Sequence, residues 1–283
     1  MSLEEHSKKE KNGSFLNKPY NNKKTFIVFF ILRALVVLIL IRLIYQRNFE
    51  SAFTCVLTLV LMLIPSIFSR TFHVYLPTAL EVIILCFIFC AEILGELSSF
   101  YIWVPYWDIM LHSINGFLFA AVGFAMVDFF NRNERFSFKL SPLFLTIVAF
   151  CFSMTIGVLW EFFEFCGDSI FHLDMQKDYV ISTISSVSLN PQKVNKAIMK
   201  KGIVDTILVY KDGSTESLGL GGYLDIGLID TMKDLFVNFI GAVIFSIIGY
   251  FYVKHEGKGK LAASLIPQVE MNTEEENKEI KDN

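Results

Sequence analysis

The stretch from Trp107 to Phe130, WDIMLHSINGFLFAAVGFAMVDFF, decides how this chain folds. Its polar side chains gather at one end: Asp108, His112 and Asn115 stand at i, i+4 and i+7, on one helix face. From Gly116 to Val127 the block is apolar on every side, without the polar stripe that a helix on a soluble core carries. About 20 such residues cover about 30 Å at 1.5 Å per residue, the thickness of a bilayer's hydrocarbon core.

Working outward, comparable blocks occupy residues 25–45, 51–69, 78–98, 141–166 and 229–253, which with 108–130 make six spans. Pro65 is expected to kink the second. The fold class is therefore an all-α polytopic membrane protein, a bundle of about six transmembrane helices, with an insertion between the fifth and sixth. Hydrophobic residues make up 53% of the chain and mean hydropathy is +0.50. Soluble domains run at about 45–50%, so the distribution decides and the total does not. The net charge of −3 and the lack of a basic patch with interleaved aromatics imply no nucleic-acid partner. The five cysteines sit mostly within apolar blocks and imply no disulfide framework. Cys86 and Cys90, four apart, read as small packing residues rather than as a metal or redox pair.

Lysine and arginine in short loops set orientation. The polar tail 1–24 is lysine-rich, the loop after the fourth span carries Arg132, Arg135 and Lys139, and the tail 254–283 opens with Lys254, Lys258 and Lys260. The loop 99–107 has no basic residue. Both termini are expected in the cytoplasm, with an uncleaved first span and with Trp103, Tyr106 and Trp107 as an aromatic anchor at the outer interface. The tail from about 268 is acidic and reads as disordered.

The insertion 167–228 reads as a small α+β cap on the outer side. Residues 179–189 suggest a strand. Asn190-Pro191 before QKVNKAIMKK and Gly202 predicts a short capped helix. Residues 203–210 and 214–220 flank Asp212-Gly213, a hairpin signal.

The spans place further polar residues at the same end as Asp108. Glu161 and Glu164 close the fifth span at i, i+3, with Asp168 continuing the face; Asp230, Asp234 and Asn238 open the sixth at i, i+4, i+8. Glu92 and Glu96 lie at the outer end of the third. Carboxylates are costly within a membrane, about 2.5–3.5 kcal/mol on insertion scales, so they face a bundle interior and mark function. Asp108, Asp168 and Asp230 also suit helix caps or solvated helix ends; His112, Glu161, Asp234 and Asn238 lie deeper, where capping does not account for them. Oxygen and imidazole donors suit a divalent cation, with Asp108, His112, Glu161, Glu164, Asp230 and Asp234 as candidate ligands. Glu161, Glu164, Asp234 and Asn238 are equally candidates for an acid–base relay. Arg33, mid-span, is expected to pair with Glu81 or Glu92; Arg42, Glu81 and Asp128 lie near enough to span ends to snorkel.

The run Asp108-x-x-x-His112, Trp160-Glu161-x-x-Glu164, then Asp230-Thr231-x-x-Asp234-x-x-x-Asn238-x-x-Gly241 resembles the YjdF-like family of bacterial inner-membrane proteins over roughly residues 25–253. The motif order is similar, more distantly, to the VanZ-like membrane proteins linked to glycopeptide resistance, where glutamine tends to stand in place of Glu164. The resemblance implies a bacterial cytoplasmic (inner) membrane and strengthens the site without supplying a reaction.

Three readings follow. One is metal-assisted hydrolysis or transfer on a lipid-linked or envelope substrate at the outer leaflet. Another is a proton- or cation-coupled transporter using the same carboxylates. The third is a non-catalytic structural or regulatory envelope protein whose polar residues lock the helices.

Overall fold

A computed structural model describes residues 23–72, 74–132, 140–255 and 264–269. Six helical segments are long and apolar enough to cross a membrane: Thr25–Tyr45, Ser51–Thr71, Thr78–Leu97, Trp107–Asp128, Pro142–Phe171 and Leu228–Lys254. They match the six expected spans, and the protein is a multi-pass membrane protein of mostly helical fold.

In order, the elements are α1 (Lys23–Tyr45), α2 (Phe49–Leu61), α3 (Ile64–Phe72), β1 (Val74–Tyr75) and α4 (Thr78–Phe89). A π-helical segment (Cys90–Leu97), α5 (Phe100–Trp103), α6 (Trp107–Arg132) and α7 (Pro142–Phe171) follow. Strands β2 (Tyr179–Ile181), β3 (Thr183–Ser186), β4 (Ile198–Lys201), β5 (Ile207–Val209), β6 (Thr215–Ser217) and β7 (Tyr223–Asp225) precede α8 (Leu228–Lys254) and β8 (Gln268–Val269). The chain divides into two units, residues 155–236 and the remainder.

In the larger unit the second span is two helices, α2 and α3, rather than one kinked helix. Pro65 has no N–H to offer the Leu61 carbonyl, and the Leu63 N–H turns back to the Val60 carbonyl at 2.9 Å. That leaves the Leu59 carbonyl without its helical donor, and the Arg33 guanidinium donates to it at 3.4 Å while lying 4.9 Å over the Phe29 ring. Arg33 thus serves a broken helix end instead of Glu81 or Glu92. Glu81 is buried in the first turn of α4, with buried Thr25 as its polar neighbour, and Asp128 is buried too. Only Arg42 of the three expected snorkelling residues is exposed. None of the five cysteines forms a disulfide.

Two apolar cores fill this unit. One joins α1, α2, α4 and the π-helical segment through Val36, Cys55, Met62, Leu85 and Ile93. The other joins α4, α6, α7 and α8 through Leu80, Ala121, Phe124, Ala149, Ala242 and Phe245. Phe117 and Phe124 both meet Phe245 edge-on, with ring centroids 5.1 and 5.9 Å apart. Gln268 and Val269, expected to be disordered, form β8 and pair antiparallel with Tyr75 and Val74; residues 270–283 lie outside the described residues.

In the smaller unit, β2 pairs with β7, β3 with β4 and β5 with β6, all antiparallel. The hairpin at Asp212-Gly213 forms as expected, Gly213 taking φ +84° in its turn. The helix expected after Asn190-Pro191 does not form. The Asn190 side chain accepts from Gln192 N–H at 2.9 Å and donates to the Lys196 carbonyl at 2.8 Å, so it closes a turn. Residues 198–201 are strand β4, held by the β3 ladder. α7 runs on to Phe171, five residues past the expected end of its span.

Candidate functional site

In the larger unit the first candidate residues stand on α6. Asp108 and His112, one helical turn apart, form an ion pair with Oδ1 3.5 Å from Nε2, and His112 is buried while Asp108 is partly exposed. One turn further, the Asn115 amide donates to the Asn238 Oδ1 at 3.3 Å, and Asn238 directs its own amide at the Met154 sulfur at 3.6 Å. Asn238 is only 1% exposed.

Two glycines make that bridge possible. A Cβ added to Gly116 would run into the Asn238 carbonyl, and one added to Gly241 would run into the Ser113 carbonyl. α6 and α8 therefore pack backbone against backbone, the close approach that small residues permit in membranes. The Ser153 hydroxyl of α7 donates to the Gly116 carbonyl at 2.7 Å and ties a third helix to the same turn. Gly116 and Ser153 escaped the sequence reading. The only signal for Gly116 was a glycine within a span, next to Asn115.

In the smaller unit, Glu161, Glu164 and Asp234 are all buried, Asp234 to within 2%. The Trp160 indole N–H donates to Glu164 Oε1 at 2.8 Å, an i, i+4 contact along α7. Trp160 stood in the motif, but nothing in its spacing announced this role. Asp168 and Asp230 serve the chain's own backbone. Asp168 accepts N–H bonds from Met175 at 2.6 Å and Gln176 at 2.8 Å, and Asp230 accepts from Lys177 at 2.7 Å. Gln176 reaches the Thr231 hydroxyl, and Asp225 caps α8 by accepting from Ile229 N–H at 2.9 Å. The segment 175–177 is thereby fastened to the end of α7 and the start of α8.

Glu92 and Glu96 lie on the π-helical segment, Glu92 partly buried and Glu96 exposed. Such segments cluster at functional positions. Outside the spans, burial, and then the charges of Asp174, Asp225 and Asp168, push the Asp178 carboxyl above its ordinary value. The Ser217 hydroxyl and the Thr206 and Gly219 amides hold Asp205 below its own.

Among known proteins, the model of a family of predicted membrane proteins, DUF2238, matches residues 27–255. A Thermotoga maritima protein described as uncharacterized is 24% identical over 106 residues, 38% of this chain and 53% of its own length. The chain thus spans about half the length of that relative. No solved structure matches.

Proposed function

We propose, from the premise that this chain belongs to the DUF2238 family of predicted membrane proteins, that it is an enzyme acting on a lipid-linked or envelope substrate at the outer leaflet, with a divalent cation. One observation carries this reading. His112 stands about 20 residues before Arg132 on α6, Asp234 about 20 before Lys254 on α8, and Glu161 about 20 after Pro142 on α7. At 1.5 Å per residue each is about 30 Å from that end of its helix, one hydrocarbon thickness. The charge rule puts those ends in the cytoplasm, with both termini, so the three residues fall at the depth of the outer headgroups. Phosphoryl and ester groups of membrane-bound substrates lie at that depth.

The residues divide the work. Asp108 lies beside the His112 imidazole, and Asp108, His112 and Asp234 are the candidate donors for the cation that the sequence pattern supplies. Glu161 and Glu164 act as acid–base groups or complete the ligand set, Glu164 being held by the Trp160 N–H. Asn238, locked to Asn115, fixes the turn of α8 on which Asp234 also stands. Asp230 keeps its loop in place through one oxygen and stays in the ligand set through the other. A bound divalent ion would supply Lewis acidity, activating water or polarising a phosphoryl or carbonyl group. The resemblance of the motif order to the VanZ-like proteins favours the same residues, Glu164 excepted.

The transporter reading has a specific observation against it. Below the Asn115–Asn238 bridge, Phe117, Phe124 and Phe245 pack with fully buried Ala120, Ala121 and Ala242, a predominantly apolar layer among the described residues. No ion flux is expected in proteoliposomes.

The test is the metal content of full-length protein purified without chelator, beside His112→Ala and Asp234→Asn. The expected result is about one divalent ion per chain, with affinity at least about 100-fold weaker in both variants while membrane levels hold. Protein free of divalent metal, with thermal stability indifferent to chelator, overturns the reading. Variants that fail to accumulate while the wild type binds no metal favour the helix-locking role instead.

A further inference from the structure

We propose that residues 264–269 are a strap that docks on the chain's own loop between the second and third spans, closing the cytoplasmic face of the bundle. The tail after α8 is charged, with Lys254, Lys258 and Lys260 before Ser264 and Glu270 and Glu274–Glu276 beyond Val269. Between them lies an uncharged island, Ser264-Leu265-Ile266-Pro267-Gln268-Val269. Such an island has no role in a solvated tail and suits an apolar seat.

The seat is present. Ile266 has no exposed surface and Pro267 is buried, and Ile266 joins the apolar core that contains Leu76, Leu80 and Phe124. Gln268 and Val269 then add a strand to the free edge of Tyr75 and Val74. This is strand addition, in which backbone pairs give direction and one buried side chain gives selectivity. Pro267 fits because it precedes the pairs and need donate nothing to the ladder.

The tether makes so short a contact worthwhile. α8 ends at Lys254, and the chain is described again at Ser264. Ten residues reach at most about 35 Å, so the strap meets its seat within one chain and not by encounter between chains. Two strand pairs and one isoleucine are enough under those conditions, yet weak enough to exchange. The docked strap links the inner end of α8, the helix that carries Asp234 and Asn238, to the β1 loop. Its release would free that end and uncover Leu76 and Leu80, so the strap is a point at which a cytoplasmic event can act on the bundle. This inference does not depend on the metal reading.

The register supplies the test. Val74→Cys with Val269→Cys, in the full chain in opened membranes, is expected to form an intrachain link with oxidant or a short bifunctional thiol reagent, identified by mass spectrometry of the linked peptides. Adding Ile266→Asp should lower the yield at least tenfold at equal membrane level, and Ile266→Val should keep it. No link despite maleimide labelling of both cysteines overturns the strap. Links between chains carrying one cysteine each show exchange between copies and overturn docking in cis, and a yield unmoved by Ile266→Asp overturns the apolar seat.

Discussion

The last turns of α7 and the first turns of α8 each carry acids in two layers, and the layers behave differently. In the layer nearer the strand-bearing segment, Asp168 and Asp230 accept backbone N–H bonds from residues 175–177. One to two turns along the same helices, Glu161, Glu164 and Asp234 are buried. The residue types are the same and the helix faces are continuous. What separates the layers is place: the first holds loop backbone, and the second lies buried a turn or two deeper in the helices. A carboxylate holding a loop contributes about 1.5–3 kcal/mol per charged hydrogen bond; a carboxylate buried within a membrane span is costly and marks a candidate functional position.

The hardest blow to this arrangement is to the turn that supports the deeper layer. Gly116→Val or Gly241→Val would drive a side chain into the backbone of the facing helix. Neither α6 nor α8 can give way there without losing the Asn115–Asn238 bond. The expected cost exceeds about 3 kcal/mol, read as loss of the protein from the membrane. Gly249→Ala is the control, because its added Cβ meets the Phe124 ring at 3.3 Å, a side chain and not a backbone. Equal loss in all three variants would show that the backbone approach at Gly116 and Gly241 is not special.

The two layers separate directly in hydrogen exchange. Asp168→Ala removes the acceptor of the Met175 and Gln176 amides, so exchange at those two should quicken by tenfold or more, the equivalent of about 1.4 kcal/mol. Glu161→Gln should leave them unchanged and alter metal content instead. If both substitutions loosen the loop equally, the layers are one structural network. Trp160→Phe is a gentler probe, since it deletes one N–H to Glu164 and keeps an aromatic ring. About 1 kcal/mol of stability should go, with metal affinity shifting several-fold if Glu164 belongs to the site and not at all if it only packs.

Much of this was legible in the residues. Six spans could be read because an apolar block of about 20 residues needs no tertiary partner to declare itself. The polar set could be read because i, i+4 spacing fixes a helix face wherever the helix lies. What could not be read was the use of each carboxylate. The amides that Asp168 and Asp230 accept belong to Met175, Gln176 and Lys177, and every non-proline residue offers such an amide, so no sequence pattern marks these three. Asn190-Pro191 misled for a related reason: an asparagine that caps a helix and one that closes a turn look alike, and the β3–β4 ladder, a non-local pairing, settled the matter. Two-residue strands such as β1 and β8 fall below any periodic signal, and the break at Leu63 was announced only by Pro65.

The smallest effect tests the anchor idea by pH, away from the membrane. Asp205 accepts from the Ser217 hydroxyl and from the Thr206 and Gly219 amides, the latter two at 2.9 Å, and these bonds hold its carboxyl below the ordinary 3.8. A depressed group contributes stability that is present above pH 3.8 and lost as pH falls through the lowered value. Asp178 has the opposite sign: burial first, then the neighbouring Asp174, Asp225 and Asp168, raise its carboxyl above 3.8. Its contribution is full below pH 3.8 and is lost as pH rises through the raised value. Asp205→Asn should therefore lower the melting temperature slightly at pH 7, with the difference closing towards pH 3. Asp178→Asn should raise it slightly at pH 7, with that difference also closing in acid. Both groups are exposed, so shifts of a degree or so are expected, and calorimetry in nanodiscs across pH 3–7 reads them. Shifts of the same sign at pH 7 would mean that charge crowding and not backbone anchoring governs the aspartates of this segment, and the line drawn between Asp168 and Glu161 would lose its physical basis.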